Sequence, residues 1–157
     1  MFFAVLVSSL ALTIGIAIYD LVVRELQLTS VAEQSQYAIF AAKTAEGCAL
    51  YWNTHYAGNK SIFPLSNSDL DALNATNALC AGVDVTALRV MTILANGSAS
   101  TMKTVIEFEI GTGYAILTVV RQGIPGRVST TIESQGYNTS DLTSPHAVER
   151  KLQTVDY

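Results

Sequence analysis

The sequence predicts an α+β fold, in which one long N-terminal α-helix packs by its second half on an antiparallel β-sheet of four or five strands. The first 52 residues contain no proline, and from residue 24 onward their apolar residues recur at helical spacing. From Leu88 onward apolar residues recur at every second position, as they do in strands. Turn-forming residues separate these runs, which is typical of an antiparallel meander. A helix followed by a series of strands indicates the α+β class.

The first part of the predicted helix is apolar on every side. No charged residue occurs from Met1 to Tyr19, and Asp20 followed by Arg24-Glu25 closes the run. This is roughly the ~20 residues that cross a bilayer core as a helix. Its bulky members are Phe2, Phe3, Val5, Leu6, Val7, Leu10, Leu12, Ile14, Ile16, Ile18, Leu21, Val22 and Val23. Exposing them all to water would cost on the order of 20–30 kcal/mol, so lipid or other copies of the helix must cover them.

Three interpretations of this run compete. A cleavable secretory signal would have a positive start, a shorter apolar stretch and a small-residue cleavage site, and we find none of these here. A plain membrane anchor fits the length. A helix that lies first in the membrane and then in a filament core fits equally well. In either of the last two cases we expect residues 1–23 to extend beyond a globular part formed by residues 24–157.

The second part of the helix, residues 24–52, has one predicted buried face. The members of that face recur at three- and four-residue steps. They are Leu28, Val31, Ser35, Ala38, Ala42, Ala45, Ala49 and Trp52. A helix from Met1 to about Trp52 would be about 78 Å long, more than a domain of this size needs. One part therefore belongs to the domain, and alanines allow close packing there.

Residues 53–87 predict a loop that leads from the helix to the sheet, and residues 88–157 predict the sheet. Within the loop, Ser66–Asp69 precedes Leu70, Leu73 and Leu79, which favours a short capped helix. The predicted strands are Leu88–Ala95, Thr104–Ile110, Tyr114–Arg121 and Arg127–Glu133, with Val148–Val155 as a candidate last strand. Ser144-Pro145 could instead begin a short helix.

Composition and motifs give no support for an enzyme, a cofactor or a metal site. The net charge is -4 and no basic cluster occurs, which disfavours nucleic acid as a partner. His55 and His146 have no neighbouring ligand set. Asn67–Asp71 has the first spacing of a calcium loop, but the glycine and the glutamate that such a loop requires are replaced by alanine. Glu107 and Glu109 alternate on a predicted strand, so we expect both to face solvent rather than to form an acid–base pair.

Four sequons provide possible glycosylation sites. Their asparagines are Asn59, Asn74, Asn96 and Asn138. Most of them fall in predicted turns, where they would be exposed. In a chain this rich in Ser and Thr, however, some matches are expected by chance.

The order of parts resembles that of type IV pilins, and the residues around the middle of the helix carry the more specific match. After Arg24-Glu25-Leu26, the stretch Ser35–Trp52 contains Phe40-Ala41-Ala42-Lys43-Thr44-Ala45-Glu46. It is similar to the aromatic-Ala-Ala-x-x-Ala-Glu stretch that follows the membrane part in pilin-like proteins. Val148-Glu149-Arg150 and a closing Tyr157 are similar as well. The match is close over about the first 52 residues and holds in outline beyond them.

The resemblance implies a structural protein, the major subunit of an extracellular filament (a fimbrium) at the cell surface. Identical subunits would form a helical polymer, drawn by pilus assembly machinery from a pool in the cytoplasmic (inner) membrane. Such filaments serve adhesion, motility or DNA uptake. The expected residues of the filament-core helix are Phe2, Phe3, Leu6, Leu10, Ile14 and Ile18. The alternatives are a minor pilin, a secretion-system pseudopilin, or a membrane-anchored binding ectodomain that does not polymerise.

Two departures from the family bear on assembly. Many pilins carry a glutamate at the fifth mature position, thought to pair with a neighbour's N-terminal amine. Here position 5 is Val5 and no acid occurs before Asp20, so either this charge pair is missing or Met1 is not the mature N-terminus. The proline that bends many pilin helices is also absent. Gly15, at a cost of ~1 kcal/mol relative to alanine, is the weakest point of the predicted helix.

Cys48 and Cys80 are the only cysteines. In an exported domain we expect them to form a disulfide that joins the end of the helix to the loop, and the alternative is two buried free thiols. Closing a loop of this size would contribute ~3–4 kcal/mol on the chain-entropy estimate.

Overall fold

The structure is a computed structural model and describes residues 2–55, 62–65, 78–96, 99–124 and 127–156. The predicted short helix after Ser66, the calcium-like spacing at 67–71 and the sequons at Asn59 and Asn74 lie outside these residues. The chain divides into two compact units, Met1–Gln34 and Ser35–Tyr157, and we call the second unit the head.

The described elements are α1 (Phe2–His55), β1 (Leu79–Cys80), β2 (Val83–Asp84), β3 (Arg89–Asn96), β4 (Ala99–Ile110), β5 (Gly113–Ile124), β6 (Arg127–Tyr137) and β7 (Glu149–Asp156). The α+β fold is therefore confirmed. The helix has 54 residues and continues through Gly15 without interruption. It ends three residues beyond the predicted Trp52.

The sheet is an antiparallel meander with the strand order β3-β4-β5-β6-β7. The predicted last strand is confirmed as β7, which pairs with β6 from Tyr137↔Glu149 to Thr130↔Asp156. Between these two strands the Ser144-Pro145 segment forms turns instead of the alternative short helix. The N–H of Ser144 donates to the carbonyl oxygen of Asp141, and that of Ala147 donates to the carbonyl oxygen of Ser144.

A two-stranded hairpin was not predicted. β1 and β2 pair antiparallel through Leu79↔Asp84 and Cys80↔Val83, so the assignment of Leu79 to a short helix is wrong. Ala81 and Gly82 form the turn with φ angles of 51° and 84°. Positive φ at both central residues is the geometry that matches the twist of a tight hairpin.

The core of the head lies between the second half of α1 and one face of the sheet. The helix contributes mostly alanines, so the two layers can approach closely. Its fully buried residues from α1 are Ala38, Ala41, Ala42, Ala45 and Ala49. From the sheet come Met102, Ile106, Phe108, Ala115, Leu117, Val119 and Ile132.

The backbone of α1 comes very close to the sheet at Gly136 in β6. A Cβ atom at this position would overlap with the carbonyl oxygen of Ala38 and with the backbone nitrogen of Ala42. The fold therefore requires glycine here for want of space, since only a residue without a side chain lets the helix backbone lie on the strand. Next to it, Ala115 and Ser134 are also fully buried.

The buried face of α1 begins later than its periodicity suggests. Leu28 and Val31 belong to the predicted face, yet their side chains are 70% and 55% exposed. Burial starts at Ala38, within the head.

Candidate functional site

The candidate functional site is the apolar segment of α1, which we define as Phe2–Val23. Every large hydrophobic side chain from Phe2 to Val22 is at least 44% exposed, and Phe2 reaches 81%. The six residues expected in a filament core all have exposed side chains. They are Phe2, Phe3, Leu6, Leu10, Ile14 and Ile18. By length and composition α1 could cross a membrane, and none of its most apolar window is buried.

The polar residues of the apolar segment do not interrupt its apolar character. The hydroxyl groups of Ser8, Ser9 and Thr13 donate to the carbonyl oxygens three residues earlier, at distances of 3.0, 2.9 and 2.8 Å. Hydroxyls satisfied by the helix itself can enter a medium without water at little cost. The whole circumference of the segment is therefore compatible with lipid or with other helices.

Charged residues mark the end of the apolar segment. Arg24 and Asp20 form an i,i+4 ion pair at 3.1 Å, with side chains that are 75% and 63% exposed. A pair this exposed adds little stability. Its effect is positional, because ionised side chains are held at the edge of a bilayer or of an apolar bundle.

The structure brings Cys48 and Cys80 together, and the disulfide is confirmed. Their Cα atoms are 5.7 Å apart, which fits the usual Cα spacing of a disulfide. Cys80 is the last residue of β1, so the bond holds the small hairpin against the end of α1. The carbonyl oxygen of Leu79 also accepts a hydrogen bond from Nε1 of Trp52 at 3.4 Å.

The C-terminal strand is tied to the same end of the helix. Nδ2 of Asn53 donates to a carboxylate oxygen of Asp156 at 3.0 Å. The hydroxyl of Thr154 donates to a carboxylate oxygen of Glu46. Together with the disulfide, these contacts hold both the hairpin and β7 against the C-terminal end of α1.

Two ionisable groups of the sheet, Glu107 and Tyr114, are joined by a hydrogen bond. Glu107 and Glu109 are both exposed on β4, as expected. The hydroxyl of Tyr114 donates to Glu107 at 2.8 Å. Partial burial and then this hydrogen bond raise the pKa of Tyr114 to about 12, so the phenol stays protonated at neutral pH. Within the described ranges there is no group of three or more His, Cys, Asp and Glu residues that could hold a metal ion.

Two of the four sequons fall within the described residues. Asn96 is the last residue of β3. Asn138 closes the loop before β7, because its Nδ2 donates to the carbonyl oxygen of His146 at 3.1 Å and its Oδ1 accepts the N–H of Val148 at 2.7 Å. Glycosylation stays a prediction at Asn138, where a sugar would replace one hydrogen of a nitrogen that already closes the loop.

Two exposed surfaces of the head were not predicted. One is on α1, where Tyr37, Phe40 and Tyr51 are 50%, 65% and 50% exposed on the side away from the sheet. The other is the edge strand β3, with Val90 and Ile93 more than half exposed. A signal for the first was present, since these aromatics lie off the alanine face at helical spacing. Edge position cannot be read from a strand's own sequence.

Comparisons of the chain with protein-family models, with characterised proteins and with solved structures find no match.

Proposed function

We propose that this chain is the structural subunit of a type IV pilus-like filament, without catalytic activity. Before assembly the apolar segment lies in the membrane. During assembly the segments of many identical copies pack together into a dry core, and the heads form the outer surface. Copies related by one repeated rotation and rise make an open helical polymer.

The observation that carries this proposal is the exposure of the apolar segment. Thirteen large hydrophobic side chains between Phe2 and Val22 are 44% to 81% exposed in the part of the chain that the structure describes. Burying such side chains contributes ~1.5–3 kcal/mol each, which is a large driving force for lateral packing once lipid is left behind. Assembly through these contacts needs no buried charge pair, and no acidic residue lies between Phe2 and Tyr19.

The head supports the proposal in a second way. Its sheet, its helix end and its hairpin are joined by a disulfide and by side-chain hydrogen bonds. A disulfide is stable in an oxidising compartment, outside the cytoplasm. A surface made of such heads suits an extracellular filament at the cell surface.

A membrane-anchored ectodomain that binds a ligand and does not polymerise is the second candidate. The charged pair Asp20–Arg24 favours it, because it follows an apolar run of about one membrane span. A minor pilin or a pseudopilin would differ from the proposed major subunit in its copy number in the filament, whereas the helix packing would be the same. The two candidates separate according to what covers the apolar segment after the protein leaves the membrane.

The test is to shear cells that express the chain and to image the released fraction. We expect filaments that contain this protein and that disappear in the variant Leu10→Lys, since a lysine in a dry core has no partner. The matched control is Leu142→Lys, which places the same charge at a 43% exposed leucine of the head and should leave filaments unchanged.

A second variant separates packing from membrane insertion, because lysine at the middle of a span also costs ~2.5–3.5 kcal/mol on insertion. Leu10→Ala with Ile14→Ala removes bulk and adds no charge. We expect this variant to keep its membrane pool and to lose most filaments. Normal filaments from Leu10→Lys would reject the role of the apolar segment in the filament core. Protein that stays with the membrane as a monomer after shearing would reject the filament proposal in favour of the anchored ectodomain.

A further inference from the structure

The two edges of the five-stranded sheet differ in charge. β7 has the sequence ERKLQTVD, in which half of the residues are charged. β3 has the sequence RVMTILAN, in which Arg89 is the only charged residue. Charged side chains, and lysine above all, are the usual means by which an edge strand avoids pairing with another chain. β7 carries this protection and β3 does not.

The one charge of β3 is turned inward. Nε of Arg89 donates to the carbonyl oxygen of Thr86 at 2.8 Å, and its Nη1 donates to the carbonyl oxygen of Ile62 at 3.1 Å. The guanidinium is therefore held within the head and does not repel an approaching strand. The remaining side chains of β3 are uncharged.

Among the described residues, no strand lies on the side of β3 away from β4, and β3 has exposed apolar side chains. β3 pairs with β4 through eight residue pairs, and no other described strand pairs with it. Val90, Ile93 and Leu94 are 65%, 54% and 37% exposed. A second strand placed here would satisfy the outward N–H and C=O groups and would cover these side chains.

We propose that β3 is a docking surface for β3 of a second copy of this chain, in antiparallel pairing about a two-fold axis. We take the two sheets to continue as one, with the same face of each copy on the same side. Side chains that lie opposite each other across two strands point to the same face, and side chains along one strand alternate between faces. The residue numbers of each opposed pair must therefore differ by an even number. In the register centred on Thr92, Val90 faces Leu94 of the other copy and Met91 faces Ile93. Thr92 then faces Thr92.

This register is self-complementary. Apolar side chains face apolar ones on both sides of the sheet, and threonine faces threonine, a cross-strand pair that stabilises sheets. A register centred on Ile93 would place Thr92 against Leu94. Pairing of β3 with the charged β7 would leave ionised side chains opposite apolar ones, so a second β3 is the better partner.

The contact is independent of the proposed filament. A two-fold interface joins two chains and closes, whereas a helical polymer needs heterologous contacts that repeat. Pairing through β3 would therefore join two anchored chains, or two filaments side by side. It would not link successive subunits of one filament.

Single cysteines test the register, because the two native cysteines already form a disulfide. Residues that face each other across an antiparallel pair have Cα atoms about 4.5–5.5 Å apart, within reach of a disulfide. We expect Thr92→Cys to give a covalent dimer on oxidation of the full chain in an excess of detergent micelles. Val90→Cys alone and Leu94→Cys alone should not, since like residues would lie about 13 Å apart along the strands. A mixture of these two variants should give the dimer.

Controls use the other edge and a central strand. Val155→Cys lies on the same face at the edge strand β7 and is 43% exposed, and Thr118→Cys lies on the same face in β5. We expect the dimer fraction of Thr92→Cys to exceed both by about tenfold, as a preference of ~1.4 kcal/mol would give. Adding Val90→Lys to Thr92→Cys should reduce the dimer to the level of the controls.

Three results would overturn the proposal. One is a Thr92→Cys dimer no more abundant than that of Val155→Cys. Another is a preference for Ile93→Cys over Thr92→Cys, which would contradict the register. The third is a dimer that persists unchanged with Val90→Lys.

Discussion

Between Phe2 and Val22, α1 carries bulky side chains on every side, whereas between Ala38 and Ala49 the same helix carries alanines on the side that packs on the sheet. The first part has large apolar area and no cover within the chain. The alanine face of the second part has little apolar area and is fully buried. Side-chain size and apolar burial thus run in opposite directions along one continuous helix.

The difference shows how each part is stabilised. Alanines bury little surface, so the head depends on close fit, which Gly136 makes possible by leaving room for the helix backbone. The large side chains of the apolar segment are exposed in the part of the chain that the structure describes, so the stability of this segment depends on its surroundings. Changes in the head should therefore act on folding, and changes in the apolar segment should act on assembly.

The largest expected effect is that of Gly136→Val. Its side chain would overlap with backbone atoms of Ala38 and Ala42, which cannot move aside as a flexible side chain can. We expect a loss of stability above the ~1–3 kcal/mol of ordinary overpacking, and therefore loss of the cooperative thermal transition of the full chain in detergent. Gln122→Val, at an exposed position of the neighbouring strand β5, is the matched control for placing valine within the sheet. A melting temperature equal to that of the wild type for Gly136→Val would show that the helix does not lie against β6 as described.

Removal of the disulfide comes next. The variant Cys48→Ser with Cys80→Ser should lose ~3–4 kcal/mol of unfolding free energy, because the closed loop spans 32 positions of sequence. Denaturant unfolding measures this loss. Reductant should lower the stability of the wild type toward that of the double variant and should leave the variant unchanged. If the double variant were as stable as the oxidised wild type, the disulfide would not have the stabilising role assigned to it.

A smaller effect of opposite sign is expected at Gly47. Among the described residues, nothing beyond the neighbouring backbone of the helix itself lies within 4 Å of the position where its Cβ would be, so the helix has room for alanine there. Gly47→Ala should raise the unfolding free energy by ~1 kcal/mol, the difference in helix propensity. Chemical denaturation of the full chain in detergent would check this value. A decrease would indicate a close contact at this face of α1.

The smallest effect concerns acid. Hydrogen bonds from the hydroxyl and then from the N–H of Thr143 hold the pKa of Asp141 below its ordinary 3.8. A lowered folded-state pKa means that the contribution to stability is present above the unfolded-state pKa and is lost as pH falls through the folded-state pKa. Asp141→Asn should therefore be less stable than the wild type at neutral pH, and the gap should close well below pH 3.8. A gap that does not change with pH would contradict this cause.

Much of the fold followed from periodicity. The helix, an antiparallel meander of four or five strands and the Cys48–Cys80 bond were predicted because each leaves a strong local signal: spacing, turn residues or a single possible cysteine pair. The β1–β2 hairpin left none. Its strands have two residues each, and Ala81 adopts a positive φ that alanine rarely takes, so its turn does not resemble a turn in sequence.

The extent of the buried helix face could not be predicted either. Leu28 and Val31 continue the spacing of the alanines, yet their side chains are exposed, and spacing alone does not distinguish them from the buried alanines. Strand order is likewise a property of the whole sheet. For this reason β3 emerges as an unprotected edge only in the structure, although its lack of charge is visible in the sequence.

The most direct test of the central claim is the size of the full-length protein after detergent is removed in the absence of lipid, measured by sedimentation. The apolar segment then has only other copies of itself to cover it, and we predict large polymers that Leu10→Ala with Ile14→Ala reduces in amount. A single monomeric species that stays soluble in water would contradict the account.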